Sequence, residues 1–319
     1  ENPMKGNSIN VAEHHYILGI SIDVIQKPSG RRVEKTFLPF TQEYEDYLIQ
    51  YIKAYLDMLS KNNWLDKAYI NVVDEPVADS NRYDYSTIEW LHNIIRRNFP
   101  DLKIVSAVHD ESVLKRVDLW DILAPSLDKI NPENDRWWSV IDAKRPLWAY
   151  ICSSTSNIDY QPVDHRSWFW ACWKYDLVGF IYWGLYSWGY SAGNNYDTML
   201  SVYPALRWPN KAQWLLENRA GDGFLIYPSP HGEPWSSIRL ANIRDGIEDY
   251  EYFYLLREVA GNLSRDNADH LALINEAADL LEIGPDIMNT TTDYSRNPDS
   301  FLARREKIAD LIERINRYI

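Results

Sequence analysis

Short apolar runs alternate along most of the chain with segments whose apolar residues recur at spacings of three and four. The first kind has the length and β-branched content of buried strands, and the second has the period of an amphipathic helix. The clearest helical segment begins at Glu43 and carries apolar residues on one continuous face as far as Leu59. Six runs have strand length, and helices or helix-sized connections separate them: 16–25, 68–73, 103–108, 122–125, 146–151 and 179–183. This alternation predicts an α/β protein with a parallel sheet.

The order of these elements favours a (β/α)8 TIM-type barrel, with an open parallel sheet as the alternative. A complete barrel needs two more strands before Tyr16, so we expect the first strands to lie before the start of this chain. The connection 26–32, with Pro28, Gly30 and three basic residues, is predicted to be a loop, so the first strand would cross over through the helix to the strand at Ala68.

Three helical segments follow Ile238 and are predicted to close the domain. They run from Ile238 to about Ala260, from Leu271 to Ile283 and from Ser300 to Tyr318. We therefore expect a barrel catalytic domain over 1–260 and C-terminal helices packed on it over 261–319.

Two adjacent carboxylates, Asp74 and Glu75, end the apolar run that begins at Ala68. Pro76 follows them and cannot continue a strand. Neighbouring side chains of a strand point to opposite faces, so both carboxylates can reach one ligand only where the chain already turns. This placement favours acid-base chemistry at the strand end, while a solvated acidic turn is the alternative.

Aromatic residues are unusually frequent, with 14 Trp and 22 Tyr. Flat rings with a polar edge suit the faces of sugars, although large aromatic residues also fill cores. Several polar or aromatic residues stand at or near predicted strand ends and are candidate substrate contacts: His109, Trp148, Tyr150, Tyr182, Trp183, Tyr186 and Trp188. His109 precedes Asp110, and a hydrogen-bonded pair at the strand end is the alternative there.

The net charge of -13 argues against nucleic acid and anionic membranes as partners, because phosphate binding needs clustered Lys and Arg. No apolar stretch approaches transmembrane length. Cys152 and Cys172 allow at most one bridge, and we expect free thiols. No metal-ligand spacing or phosphate loop is present in the sequence, so no cofactor or metal is predicted. The oligomeric state is left open.

Several segments resemble the catalytic domain of glycoside hydrolase family 123, the retaining β-N-acetylgalactosaminidases. The pair Asp74-Glu75 before Pro76 is a weak signal alone, but its order with the other segments is specific. The matching segments are DEP at 74–76, WAYICSS at 148–154, FWACWKYDLVGFIYWGLYSW at 169–188, GDGFLIYP at 221–228 and SIRLANIRDGIEDYEYFYLL at 237–256.

This resemblance implies a (β/α) barrel and a substrate-assisted mechanism, in which the 2-acetamido oxygen of the sugar is the nucleophile. Asp74 would orient the acetamido group, and Glu75 would act as general acid and then general base. Tyr150, Tyr182 or Tyr186 could donate a hydroxyl to the acetamido oxygen, and the Trp residues could wall the sugar ring. The substrate would be a terminal β-linked N-acetylgalactosamine of a glycan or glycolipid, and an exported location is expected.

Two other functions stay open from the sequence. A glycosidase of the same fold could act on a different sugar, because the residues that read the C4 hydroxyl are not identifiable. A protein with an incomplete barrel could also bind carbohydrate through its aromatic residues without catalysis.

Overall fold

The computed structural model describes residues 20–26, 31–76, 85–130, 146–152, 157–185, 221–227, 229 and 232–318. The described residues form two compact units. The first comprises 1–125 and 134–147, and the second comprises 126–133 and 148–319. Both contain helices and parallel strands, so the α/β class predicted from the sequence is confirmed.

The described residues of the first unit form five strands and two α-helices: β1 Ile20–Gln26, β2 Arg31–Phe37, α1 Gln42–Lys61, β3 Tyr69–Ile70, α2 Tyr85–Asn98, β4 Lys103–Val108 and β5 Ile122–Pro125. Strands β3, β4 and β5 form a parallel sheet in that order. Two 3-10 helices, Leu65–Lys67 and Glu111–Leu119, precede β3 and β5.

The core of the first unit lies where α1 and α2 pack on this sheet. Thr41 begins α1 as its N-cap, because the Thr41 hydroxyl accepts a hydrogen bond from the Tyr44 backbone N. Buried apolar residues follow at the predicted helical spacing. The core of these elements contains Tyr44, Leu48, Ile52, Ile70, Val72, Ile88, Leu91, Ile95, Ile104 and Val108. In the run 68–73 the predicted apolar residues Ala68, Ile70, Val72 and Val73 are buried, whereas Tyr69 is exposed, and only two residues of the run pair as a strand.

The first strand differs from the prediction. The segment predicted as a loop at 26–32 contains the end of β1 and the start of β2, and the two strands pair antiparallel, with Val24 opposite Val33. Among the described residues β1 pairs with β2 and lies outside the β3-β4-β5 sheet, so the predicted parallel crossover from the first strand is wrong. Four of the seven β2 residues are charged, so its sequence lacks the alternation of apolar and polar residues that indicates a strand.

In the second unit, the part of the chain that the structure describes forms four strands and four α-helices: β6 Trp148–Ile151, α3 Pro162–Lys174, β7 Gly179–Tyr182, β8 Ile226–Tyr227, β9 Trp235–Ser236, α4 Ile238–Gly261, α5 Ala268–Leu281 and α6 Pro298–Ile315. A 3-10 helix, Leu127–Lys129, comes first. Strands β6 and β7 pair parallel, and β8 and β9 pair antiparallel. The predicted division at residue 260 falls at the end of α4 and stays a prediction.

Helices α3, α4 and α6 pack around a buried indole. The ring of Trp170 meets the rings of Phe253 and Phe301 edge-on, with centroids 4.8 Å apart in both pairs. The Trp170 Nε1 donates to Asp249 Oδ2 at 2.8 Å, and Arg166 binds the same carboxylate through Nε at 2.5 Å. Asp249 thus joins α4 to α3.

Among the described residues no helix combines the length and apolarity that crossing a membrane requires. Within the same residues, His, Cys, Asp and Glu form no group of three or more that could hold a metal ion. Cys152 is partly buried and Cys172 is buried.

Candidate active site

Asp74 and Glu75 lie at the carboxyl end of the β3 segment, where the chain bends away from the sheet. The two residues are half-buried, between the buried Val73 and Pro76. Glu75 has φ of +44°, in the left-handed region that residues with a Cβ seldom occupy. The bend supplies the turn that both carboxylates need in order to reach one ligand.

The neighbouring strand β4 fixes the backbone on both sides of Asp74. Ser106, which is fully buried, donates from its hydroxyl to the Val73 carbonyl oxygen at 2.9 Å. The Glu75 backbone N donates to the Ala107 carbonyl oxygen at 3.1 Å. The strained conformation of Glu75, whose N makes one of these contacts, costs on the order of 1–3 kcal/mol and persists only where the surrounding structure imposes it. Strain of this kind is typical of functional sites.

His109 follows the last residue of β4 and reaches the same end of the sheet. Its Nδ1 lies 3.5 Å from Glu75 Oε2, and both side chains are more than a third exposed. The next residue, Asp110, is the N-cap of the 3-10 helix Glu111–Leu119 and accepts a hydrogen bond from the Ser112 backbone N at 2.8 Å. Hydrogen bonds from Ser112 hold the pKa of the Asp110 carboxyl below its ordinary value. In these two contacts, His109 approaches the candidate catalytic residue Glu75, whereas Asp110 caps the following helix.

In the second unit, Trp148 and Tyr150 lie on β6. Trp148 is half-buried and pairs across the ladder with Gly179 of β7, while Tyr150 is 5 % exposed. The ring of Trp168, on α3, is stacked on Phe180 and Tyr182 at 5.4 and 6.0 Å between centroids. Tyr182 therefore belongs to a packed aromatic layer.

Tyr182 and Trp183 both bind the buried carboxylate of Asp222, which the sequence did not indicate as a candidate site residue. Trp183 Nε1 donates to Asp222 Oδ1 at 2.8 Å, and the Tyr182 hydroxyl donates to the same oxygen at 3.2 Å. The Tyr182 oxygen in turn accepts from the Gly223 backbone N at 2.8 Å. Asp222 is 2 % exposed. Burial and the adjacent Asp222 charge raise the pKa of Tyr182, which keeps its hydroxyl protonated.

Arg239, on the first turn of α4, holds the loop that carries Asp222. Its guanidinium donates to the Gly221 carbonyl oxygen at 2.5 Å, to the Phe224 carbonyl oxygen and to the Tyr227 hydroxyl at 3.0 Å. Gly221 has φ of +81°, which favours glycine. The Gly-Asp-Gly sequence at 221–223 is typical of an ordinary turn, so the sequence carried no signal for this arrangement. Tyr186 and Trp188 lie outside the described residues.

These observations define an α/β protein with adjacent carboxylates at the end of a parallel strand. The catalytic domain of glycoside hydrolase 123 matches residues 8–256, and the chain belongs to this family. A comparison with curated proteins gave no match.

A solved structure also resembles the chain, that of a family 123 glycoside hydrolase from Clostridium perfringens in a study of glycolipid glycan hydrolysis. The likeness has a TM-score of 0.53 at 18% sequence identity and covers 93% of this chain. It covers 49% of that chain, so the present chain spans about half the length of this relative. At this identity the likeness concerns the fold.

Proposed function

We propose that the protein is a retaining exo-glycosidase that releases terminal β-linked N-acetylgalactosamine from glycans or glycolipids by substrate-assisted catalysis. The observation that supports the proposal is the strained end of the β3 segment at Asp74 and Glu75, where β4 binds the Val73 carbonyl oxygen and the Glu75 backbone N. Membership of a glycoside hydrolase family supports hydrolysis as the reaction. The C. perfringens relative, studied for glycolipid glycan hydrolysis, supports a glycan or glycolipid substrate.

In the proposed first step, the 2-acetamido oxygen of the substrate forms a bond to the anomeric carbon as the glycosidic C–O bond breaks. Glu75 gives its proton to the leaving oxygen and becomes a carboxylate. Asp74 accepts a hydrogen bond from the acetamido N–H, which orients the group and stabilises the positive charge that develops on it. The product of this step is an oxazolinium ion and a free alcohol.

In the second step, water attacks the anomeric carbon and loses a proton to Glu75. The bond between the anomeric carbon and the acetamido oxygen breaks, which restores the acetamido group and the protonated Glu75. Two inversions at one carbon give retention. The net reaction is hydrolysis of one glycosidic bond, and the protein's carboxyl groups end as they began.

Several further features belong to this proposal. The parallel strands would form part of a (β/α)8 barrel, as the alternation of elements along the chain favours. Trp148, Trp183 and Trp188 would contact the sugar ring, and Tyr150 or Tyr186 would donate to the acetamido oxygen. We also propose export from the cell, where glycans and glycolipids are accessible.

The test is hydrolysis of three 4-nitrophenyl glycosides: the β-N-acetylgalactosaminide, the β-N-acetylglucosaminide and the β-galactoside. We expect turnover of the first, and a fall in kcat of about 100-fold or more in Glu75→Gln and in Asp74→Asn. Asp101→Asn, an exposed acidic residue in the turn before β4, is the control and should retain full activity.

Faster hydrolysis of the glucosaminide would support the proposed mechanism, but with N-acetylglucosamine as the sugar in place of N-acetylgalactosamine. Turnover of the galactoside would contradict substrate assistance, because that sugar has no acetamido group. Binding of N-acetylgalactosamine without turnover of any glycoside would favour a carbohydrate-binding protein.

A further inference from the structure

The contact between His109 and Glu75 has too little energy to serve stability. Exposed ion pairs contribute little to stability, and here both side chains are more than a third exposed. The left-handed backbone of Glu75 is strained, and a weak exposed pair does not offset such strain. We therefore ask what the contact does to the Glu75 carboxyl group.

The His109 backbone is fixed on both sides. Val108 before it is fully buried at the end of β4, pairing with Pro125 of β5. Asp110 after it caps the following 3-10 helix. The imidazole thus projects from a defined point at the strand end, toward a carboxyl group on the adjacent strand segment.

The geometry distinguishes the two oxygens of Glu75. His109 Nδ1 lies 3.5 Å from Oε2. With the proton on Nδ1, the positive N–H edge of the imidazole faces Oε2, so Oε2 is the less favourable site for the proton of the acid. The proton of the acid then resides on Oε1.

We propose that His109 is a positioning residue that directs the Glu75 proton to Oε1 and stabilises the Glu75 carboxylate as that proton leaves. This inference rests on the proposed function, since it assigns a partner to the general acid. The interaction strengthens as negative charge develops on Glu75, so it favours the transition state over the ground state. In this proposal His109 contacts Glu75 and does not contact the sugar directly.

The leaving group of the substrate separates this role from sugar binding. A phenyl N-acetylgalactosaminide needs protonation of its leaving oxygen, whereas the 2,4-dinitrophenyl compound departs without it. For His109→Ala we expect kcat/KM to fall about 10- to 100-fold with the phenyl glycoside. With the dinitrophenyl glycoside the fall should be under about 3-fold, because no proton transfer is needed.

The conservative variant His109→Asn provides a rescue. The Asn amide N–H occupies the position of Nδ1 and can donate to Oε2 without an imidazole. We expect His109→Asn to recover much of the phenyl glycoside activity that His109→Ala loses. His270→Ala, on α5, is the matched control and should equal the wild type on both substrates.

Three results would overturn the inference. An equal fall on both substrates in His109→Ala would make His109 a sugar contact, and wild-type kinetics in that variant would leave it without a role. Failure of the wild-type chain on both galactosaminides would overturn the proposed function, and the inference with it, because Glu75 would then be no proton donor. The first two results leave the proposed function intact.

Discussion

Gly179 lies directly against the indole of Trp148, its partner across the β6-β7 ladder. A Cβ atom at residue 179 would come within 2.3 Å of both Trp148 Cδ2 and Cε2. No real Cβ approaches another atom so closely, so any larger residue must displace the ring. The position of Trp148 is thus coupled to the absence of a side chain on the neighbouring strand.

We expect Gly179→Ala to lower the free energy of unfolding by about 1–3 kcal/mol, the usual cost of overpacking. If Trp148 contacts the sugar, the same variant should raise KM for the galactosaminide, because the ring would move. Urea denaturation followed by circular dichroism gives the first quantity and steady-state kinetics the second. Gly261→Ala is the control, since a Cβ at residue 261 meets nothing within 4 Å. Equal stability of the two variants would contradict the packing argument.

Asp249 provides a second prediction, on stability alone. Its side chain is fully buried and accepts from Arg166 and Trp170, and Arg305 Nε lies 3.2 Å from its Oδ1. Asp249→Asn removes the charge that balances Arg166, whose side chain is only 11% exposed. Breaking a buried pair in this way costs about 3–5 kcal/mol.

The matched control for Asp249→Asn lies one turn earlier on α4. Asp245 binds Arg244, whose side chain is 67% exposed, so Asp245→Asn should cost about 0–1 kcal/mol. Urea denaturation of the two variants measures the difference. A loss at Asp249 as small as that at Asp245 would show that the buried network does not join the helices.

His92 makes the first unit sensitive to acid. The side chain is 2 % exposed, its Nδ1 lies 2.9 Å from the Leu119 carbonyl oxygen, and burial lowers its pKa to about 4. In the unfolded chain the pKa is about 6.5. Between these values the unfolded chain binds a proton that the native protein does not, so stability falls as pH decreases from 6.5 to 4. The full difference is roughly 3 kcal/mol, at about 1.4 kcal/mol for each pKa unit.

His92→Asn keeps an N–H donor near the Nδ1 position and does not titrate. We expect it to be less stable than the wild type at pH 7, with a difference that narrows as pH falls toward 4. Denaturation midpoints at several pH values test this. His270→Asn, at a partly buried histidine of α5, is the control. A constant difference between His92→Asn and the wild type would refute the assignment.

The helices were predictable because each has an apolar face and ordinary end signals. The face from Tyr44 to Leu59 predicted α1, and Ser237, the N-cap of α4, begins the helix where the sequence had placed it. β2 was missed because a paired antiparallel ribbon needs few apolar residues, and Val33 and Phe37 alone do not form a strand period.

The candidate site also contains residues that the sequence indicated and residues that it did not. The placement of Asp74 and Glu75 at the end of a largely buried segment was predictable from the apolar residues before them, and their catalytic role stays a prediction. Asp222 was not, because its role depends on Tyr182 and Trp183, which approach it only after folding. The role of Arg239 was likewise not predictable. Its guanidinium binds a backbone carbonyl oxygen of the loop at Gly221, and sequence patterns do not encode such a contact.

Tyr182 allows a direct choice between a substrate contact and a structural residue. Its hydroxyl donates to Asp222 and accepts from the Gly223 backbone N, so the donor that the acetamido oxygen would need is already engaged. Tyr182→Phe removes both bonds and leaves the Gly223 N–H without that acceptor. An unsatisfied buried group costs about 1–3 kcal/mol. We therefore expect Tyr182→Phe to lower stability by that amount.

The kinetic constants of Tyr182→Phe should stay close to those of the wild type, because the ring and its stacking on Trp168 are retained. Tyr175→Phe is the control for stability, since the Tyr175 hydroxyl makes a long hydrogen bond of 3.4 Å to the Asn289 carbonyl oxygen. A large fall in kcat for Tyr182→Phe with unchanged stability would assign the hydroxyl to the substrate. Loss of stability with unchanged kcat would instead make Tyr182 a support for Asp222, and the acetamido donor would have to be sought at Tyr150 or Tyr186.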